Sequence, residues 1–144
     1  MGAVSRAGPA RVELGRAGEK AAADLLRRRG YEVVGAGFTA RRGELDLVCR
    51  RGRELVVVEV KTRTDGAFGA PMEAVGARKR RALMAAAAEY RALADWRGPI
   101  RYAVVGLTVK PGPGAGRASP TGVPANRVKG ALEFEAELIE DPFS

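Results

Sequence analysis

The segment RGELDLVCRRGRELVVVEVKTR, residues 42–63, decides the fold, because it contains two strand patterns joined by a tight turn. Polar and apolar residues alternate from Glu44 to Arg50, as in a strand with one buried face. After the Arg51-Gly52 turn, residues 53–61 carry a nearly unbroken apolar run, which is typical of a central strand buried on both faces. The alternation places Leu45, Leu47 and Cys49 on one face of the first strand, and Glu44, Asp46 and Val48 on the other.

This hairpin brings carboxylates to one face of the sheet. With that turn, the numbers of paired residues sum to about 103, which sets Asp46 opposite Val57 and diagonal to Glu59. Glu44 then faces Glu59 directly. Lys61 lies on the same face as Glu59, since residues two apart on a strand point the same way.

A hard divalent cation fits this arrangement. Like charges on neighbouring strands repel, and carboxylates in a valine-rich strand lose hydration, so a cation is needed nearby. Mg²⁺ takes one or two carboxylates and keeps positions for water and for phosphate oxygens. Lys61 beside the metal would orient or deprotonate an attacking water, or stabilise charge on the phosphate. The alternative is structural, with Glu59 and Lys61 in a salt-bridge network at the sheet surface.

Composition narrows the chemistry further. The 144 residues correspond to about one domain and include no histidine, which excludes histidine-based nucleophilic, acid–base and zinc sites. Cys49 is the one cysteine, which fits a cytoplasmic protein, and no apolar run has the length of a signal peptide or a membrane span. Lys and Arg total 25 against 17 Asp and Glu, and this net charge of +8 favours a polyanionic partner. An Arg-rich genome would produce the same excess without a binding role.

The remaining segments predict an α/β domain. We expect residues 1–10 to be a disordered leader, residues 11–144 to form a single domain, and the Pro- and Gly-rich segment 110–130 to be a flexible loop. The other predicted elements are helices over 12–29 and 71–95 and strands over 31–34, 38–42, 100–109 and 131–139, with a bend at 35–37. Together with the hairpin they give a mixed sheet that has helices on one or both faces.

Several motifs together resemble a known family. Asp46, twelve intervening residues and then Glu59-Val60-Lys61 resemble the D-x(n)-E-x-K signature of the restriction-endonuclease-like nucleases. The surrounding motifs resemble the YraN family, a UPF0102-type group of small bacterial proteins whose fold is shared with archaeal Holliday-junction resolvases. Those motifs are Gly15-x-x-Gly18-Glu19, residues 42–48, Val58-Glu59-Val60-Lys61-x-Arg63, Phe68-Gly69 and Lys79-Arg80-Arg81, and the similarity spans about residues 11–109.

The resemblance implies a fold and a set of site residues. The fold would be the restriction-endonuclease-like, or tRNA endonuclease-like, three-layer α/β fold with a central mixed sheet flanked by helices. Asp46 and Glu59 would be metal ligands, and Lys61 would be the catalytic lysine. Glu19 matches a first-helix glutamate that joins the metal site in the resolvases, with an exposed glutamate paired to nearby arginines as the alternative. Glu44 matches a further position of the motif. It would either bind the metal as an additional ligand or support the ligands without binding the metal.

The expected function is that of a metal-dependent endonuclease, with Mg²⁺ or Mn²⁺, acting on structured or damaged DNA rather than RNA. Resemblance to the resolvases also implies a homodimer. Five basic residues flank the site in sequence and would contact phosphates, with a solvated helix face as the alternative for the last two: Arg41, Arg42, Arg63, Lys79 and Arg81. The second hypothesis is a non-catalytic accessory protein of DNA repair, recombination or uptake, which binds nucleic acid and recruits a helicase or recombination partner.

Overall fold

The computed structural model describes residues 2–63, 76–110 and 133–142, with the backbone alone for residues 2–13. Within these ranges the chain forms two helices and five strands. In chain order they are α1 (Gly2–Arg28), β1 (Glu32–Thr39), β2 (Glu44–Arg51), β3 (Glu54–Arg63), α2 (Ala77–Ala94), β4 (Ile100–Val109) and β5 (Phe134–Glu140). The strands form one sheet in the order β1-β2-β3-β4-β5, in which β3 and β4 are parallel and the other neighbours are antiparallel. The predicted mixed sheet is therefore confirmed.

The two helices cover opposite faces of the sheet. Leu26 of α1 packs in a buried cluster with Val58, whereas Leu83 of α2 packs in a separate cluster with Val57. Neighbouring residues of a strand point to opposite faces, so the two clusters lie on either side of β3. The predicted three-layer arrangement, with a central mixed sheet flanked by helices, is confirmed.

Strand β3 lies at the centre of the sheet and is buried on both faces, as its apolar run predicts. Residues 55–59 are all buried, and β3 pairs with β2 on one side and with β4 on the other. Glu59 is the one charged residue in this buried stretch. The backbone of Glu59 is thus held in the central, buried strand of the sheet.

The predicted hairpin register is wrong by two residues. Val57 pairs with Val48, not with Asp46, because the turn is formed by Gly52 and Arg53 rather than by residues 51 and 52. Gly52 has a φ of +62°, a conformation that glycine adopts more readily than other residues. Asp46 and Glu59 nevertheless lie near each other, because the charge of Glu59 contributes to the raised pKa of Asp46.

The predicted alternation along β2 is also wrong at its first residues. Leu47 and Cys49 belong to the cluster under α1, but Leu45 packs in the cluster under α2. The regular ladder with β3 ends at Leu47, and beyond it the carboxylate of Asp46 accepts the hydrogen bond from the backbone N–H of Val60. This interruption allows β2 to change the face that it presents.

The helix boundaries differ from the predicted ones as well. Helix α1 begins at Gly2 instead of residue 12, so the segment 2–10, expected to be a disordered leader, has helical backbone. Helix α2 begins after Gly76, which is extended at φ −83° and ψ −175°. The start predicted at Pro71 and the Phe68-Gly69 motif lie outside the described residues, as does nearly all of the predicted loop 110–130.

The first and last strands differ from the predictions in detail. Strand β1 is continuous where a bend was expected, and a register shift between Val33 and Gly35 takes up the irregularity. Strand β5 pairs with β4 alone and lies at the edge of the sheet, as predicted. Neither described helix has the length and apolar character that crossing a membrane requires.

Two leucines of α2 test the packing of that helix. Leu83 is 2% exposed and Leu93 is 73% exposed. We expect Leu83→Ala to lower the free energy of unfolding by about 2–5 kcal/mol, since it leaves a cavity against β2 and β3. Leu93→Ala should change it by less than about 0.5 kcal/mol. Urea denaturation measures both, and equal effects of the two substitutions would contradict this packing.

Candidate active site

Glu59 carries a carboxylate into the interior of the protein. Its side chain is 4% exposed, and its Oε2 lies 3.3 Å from the Nζ of Lys79 and 3.9 Å from the Nζ of Lys61. Its Oε1 is buried and has no hydrogen-bond partner among the described residues. A buried carboxylate without full hydrogen bonding is costly, so Glu59 lowers the stability of the protein unless another group pairs with Oε1.

Asp46 lies close enough to Glu59 for their charges to interact. Burial is the main cause that raises the pKa of Asp46 to about 6, and the negative charge of Glu59 adds to it. The backbone N–H of Val60, which donates a 2.8 Å hydrogen bond to Asp46 Oδ2, and the ammonium of Lys79 oppose this rise. The carboxylates of Asp46 and Glu59 and the ammonium groups of Lys61 and Lys79 thus form one electrostatic cluster, which we call the acid–lysine cluster.

Glu19 approaches this cluster from α1. Its pKa is raised, first by burial and then by the charges of Asp46 and Glu44. Helix α1 comes close to β3 at this point because residue 18 is glycine. A Cβ on the buried Gly18 would collide with the side chain of Thr62, so only glycine allows this approach.

The three predicted metal ligands do not form a complete metal-binding group. Within the described ranges, no three acidic or cysteine side chains converge on a point that could hold a metal ion. The structure brings Asp46 and Glu59 together with Lys61, while Glu19 and Glu44 contribute charge from nearby. Two carboxylates remain as candidate ligands.

The five predicted phosphate-contacting residues lie at the same end of the sheet as the acid–lysine cluster. The loop 40–43, between β1 and β2, packs against α2, because a Cβ on Gly43 would meet the backbone oxygen of Ala82 at 3.2 Å. Strand β3 ends at this edge and α2 begins there. Four of these five residues are exposed: Arg41 and Arg42 in the loop, and Lys79 and Arg81 on α2. Arg63, on β3, is partly buried.

Lys79 differs from the other four because its ammonium reaches Glu59. The sequence predicted a phosphate contact for this lysine and gave no sign of an ion pair with a buried glutamate. The two residues are twenty positions apart on different elements, and no local periodicity relates them. Only the packing of α2 onto the sheet reveals the contact.

A second polar cluster lies at the opposite end of the sheet, around a cavity of about 340 Å³. The hydroxyl of Tyr31 donates to Glu140 at 2.6 Å and accepts from Arg51 at 3.1 Å. Arg101 binds the carboxylates of Glu54 and Asp141 at 2.7 Å and 2.9 Å. These contacts join β5 to the hairpin turn.

Comparison with known proteins identifies relatives of this chain. The model of a family described as "Uncharacterised protein family UPF0102" matches residues 18–107. A UPF0102 protein of Anaeromyxobacter dehalogenans is 49% identical over 83 residues, which are 58% of this chain and 62% of that protein. UPF0102 proteins of Porphyromonas gingivalis and Syntrophomonas wolfei are each 44% identical, over 66% and 69% of this chain and 70% and 88% of their own lengths. The family match includes every member of the acid–lysine cluster.

The raised pKa of Asp46 predicts a pH-dependent cost of keeping it charged. The folded state holds the proton more tightly than the unfolded state, where the pKa is near 3.8. The stabilising effect of protonation is therefore complete below about pH 4 and is lost as the pH rises through 6. Asp46→Asn retains an oxygen for the Val60 N–H and carries no charge. We expect it to exceed wild type in stability by about 3 kcal/mol at pH 8 and to match it at pH 4.

Urea denaturation in the presence of a chelator measures this difference. Asp24→Asn serves as the control, because Asp24 is half-exposed on α1 and forms pairs with Lys20 and Arg27. It should lower stability by no more than about 1 kcal/mol at either pH. An Asp46→Asn variant that is no more stable than wild type at pH 8 would contradict the assigned burial.

Two glycines of α1 test the close approach of that helix to β3. Gly18→Ala should lower the free energy of unfolding by about 1–3 kcal/mol, because the new methyl group collides with the β-branched Thr62. Gly15 has no neighbour within 4 Å of the position a Cβ would occupy. Gly15→Ala should therefore stabilise the protein by about 0.5–1 kcal/mol through helix propensity. Thermal denaturation of both variants distinguishes this steric effect from propensity alone.

Proposed function

This chain belongs to the UPF0102 family, and on that premise we propose that it is a metal-dependent nuclease that hydrolyses phosphodiester bonds in structured or damaged DNA. Membership supports a common fold, while the activity must be argued from the site. The observation that carries the proposal is the buried carboxylate of Glu59, with Asp46 and two lysines beside it. The net charge of +8 supports a polyanionic substrate.

The donor groups suit Mg²⁺ or Mn²⁺. Both cations prefer oxygen ligands, and Mg²⁺ is commonly bound through one or two carboxylates while it retains several waters. Glu59 Oε1 has no hydrogen-bond partner among the described residues, and Asp46 supplies a second carboxylate. When bound, the metal supplies Lewis-acid activation of a phosphodiester and of water. Glu19 and Glu44 would increase the negative potential that attracts the cation.

Lys61 stabilises charge on the phosphate in this proposal. Its ammonium lies 3.9 Å from Glu59 Oε2, and its side chain is 30% exposed, so Nζ can also donate to a phosphate oxygen. The backbone of Lys61 pairs with Gly106 of β4, which fixes the root of the side chain within the sheet. A lysine held in this way adds charge stabilisation without a large conformational change.

The surrounding arginines bind the nucleic acid backbone. Arg41 and Arg42 lie on the loop that packs against α2, and Arg81 lies on α2 itself. Contacts from such residues to successive phosphates hold a nucleic acid without reading its bases. Substrate preference would then depend on backbone shape, as branched or damaged DNA requires.

A specific observation also favours the second candidate, a nucleic-acid-binding accessory protein without catalysis. Glu59 is paired with Lys79, and within the described ranges no three acidic side chains converge as a complete metal-binding group. In that case the acid–lysine cluster would be structural, and binding to nucleic acid would depend on the basic residues alone.

A cleavage assay separates the two functions. We expect cleavage of branched, flapped or single-stranded DNA by the wild-type protein in Mg²⁺ or Mn²⁺ and none in chelator. Asp46→Asn and Glu59→Gln should each reduce the rate at least about a hundredfold through loss of a ligand. Glu32→Gln, at an exposed position on β1, is the control and should retain the rate.

One outcome of this assay rejects the proposed nuclease activity. If correctly folded wild type and Asp46→Asn are both inactive across the panel, the site is not catalytic. Salt-sensitive DNA binding that persists in Glu59→Gln would then support the accessory function.

A further inference from the structure

Both ion pairs of Glu59 involve the same carboxylate oxygen, Oε2. Lys61 and Lys79 both approach Oε2, whereas the buried Oε1 has no hydrogen-bond partner among the described residues. The pair with Lys79 is the shorter, at 3.3 Å against 3.9 Å. Lys79 is therefore the main partner that compensates a carboxylate that is 4% exposed.

Lys79 is also the more exposed of the two lysines. Its side chain is 45% exposed, against 30% for Lys61, and it stands in the first turn of α2. The Gly76 cap of that helix makes no side-chain hydrogen bond, and the lysine stem has four rotatable carbons. Lys79 can leave Glu59 for solvent or for another anion, while Lys61 is tied to the centre of the sheet.

Within the acid–lysine cluster two carboxylates face two ammonium groups, and Glu19 and Glu44 add negative charge from outside it. A divalent cation at Glu59 would meet the positive charge of Lys79 at short range. Repulsion between the cation and Lys79 acts at short range and at a largely buried carboxylate, where solvent screens it weakly. A phosphate group that contacts both the cation and Lys79 would offset this repulsion.

We propose that Lys79 is an internal counter-cation of Glu59, which weakens the binding of a divalent cation at this site until an anionic phosphate is present. This inference rests on the proposed metal-dependent function. Lys79 is a positioning residue in this scheme, since it acts through Glu59. Its effect makes metal binding and phosphate binding mutually favourable, as thermodynamic linkage requires.

Calorimetric titration of the full metal-free chain with Mn²⁺ tests the proposal without any measurement of activity. Lys79→Met removes the charge and keeps the length of the stem, and we expect it to bind Mn²⁺ about tenfold more tightly than wild type. Lys79→Arg keeps the charge and should bind like wild type. Lys20→Met is the matched control, because Lys20 is an exposed lysine that pairs with Asp24 on α1.

Thermal denaturation provides a second readout. In chelator, Lys79→Met should unfold at a lower temperature than wild type, because Glu59 has lost its nearer partner. Saturating Mn²⁺ should raise its unfolding temperature by more than it raises that of wild type. Lys79→Gln gives a second neutral variant, in case the methionine variant does not fold.

The possible results separate the two proposals. If wild type binds Mn²⁺ and the neutral variants bind it equally or more weakly, the role of Lys79 is rejected and the metal site stands. If Lys79→Arg binds as tightly as Lys79→Met, the effect is steric and the counter-cation is rejected. If none of the proteins binds Mn²⁺, both the metal site and the role of Lys79 are rejected.

Discussion

The burial of one negative charge, on Glu59, constrains much of this structure. A carboxylate in the middle of a valine-rich central strand loses its hydration, and the protein must return that free energy through ion pairs. Lys79 of α2 and Lys61 of β3 supply them, and Asp46 retains its own place through the N–H of Val60. The position of α2 over the sheet therefore determines whether Glu59 has its nearer counter-ion.

The sequence predicted the elements whose signal is local. A nearly continuous apolar run identified β3 as a strand buried on both faces, and the spacing of Asp46, Glu59 and Lys61 predicted that these three side chains lie near one another. The register could not be obtained in the same way, because the choice between two adjacent turn positions depends on the left-handed conformation of Gly52. The face on which Leu45 lies could not be predicted either. Beside it, the side chain of Asp46 accepts the hydrogen bond from the Val60 N–H and interrupts the regular backbone pairing of β2 with β3.

The features that escaped prediction depend on packing between distant elements. The contact of Lys79 with Glu59 requires the placement of a whole helix, and a run of basic residues gives the same sequence signal when it is merely solvated. The approach of α1 to β3 is a partial exception. Glycine is unfavourable inside a helix, so Gly15 and Gly18 both invite an explanation from the sequence. Only the structure shows that Gly18 packs against Thr62 while Gly15 faces open space.

The parallel pairing of β3 with β4 has a consequence for the order in which the chain can assemble. The three strands β1, β2 and β3 are joined by short connections and can pair early, whereas β4 pairs only after the chain has passed through α2. Lys79 belongs to that later crossover. Until Lys79 docks with α2, Glu59 lacks its nearer counter-ion, so burial of its carboxylate costs the full desolvation free energy. We therefore expect complete burial of β3 and docking of α2 to be coupled during folding through the charge of Glu59.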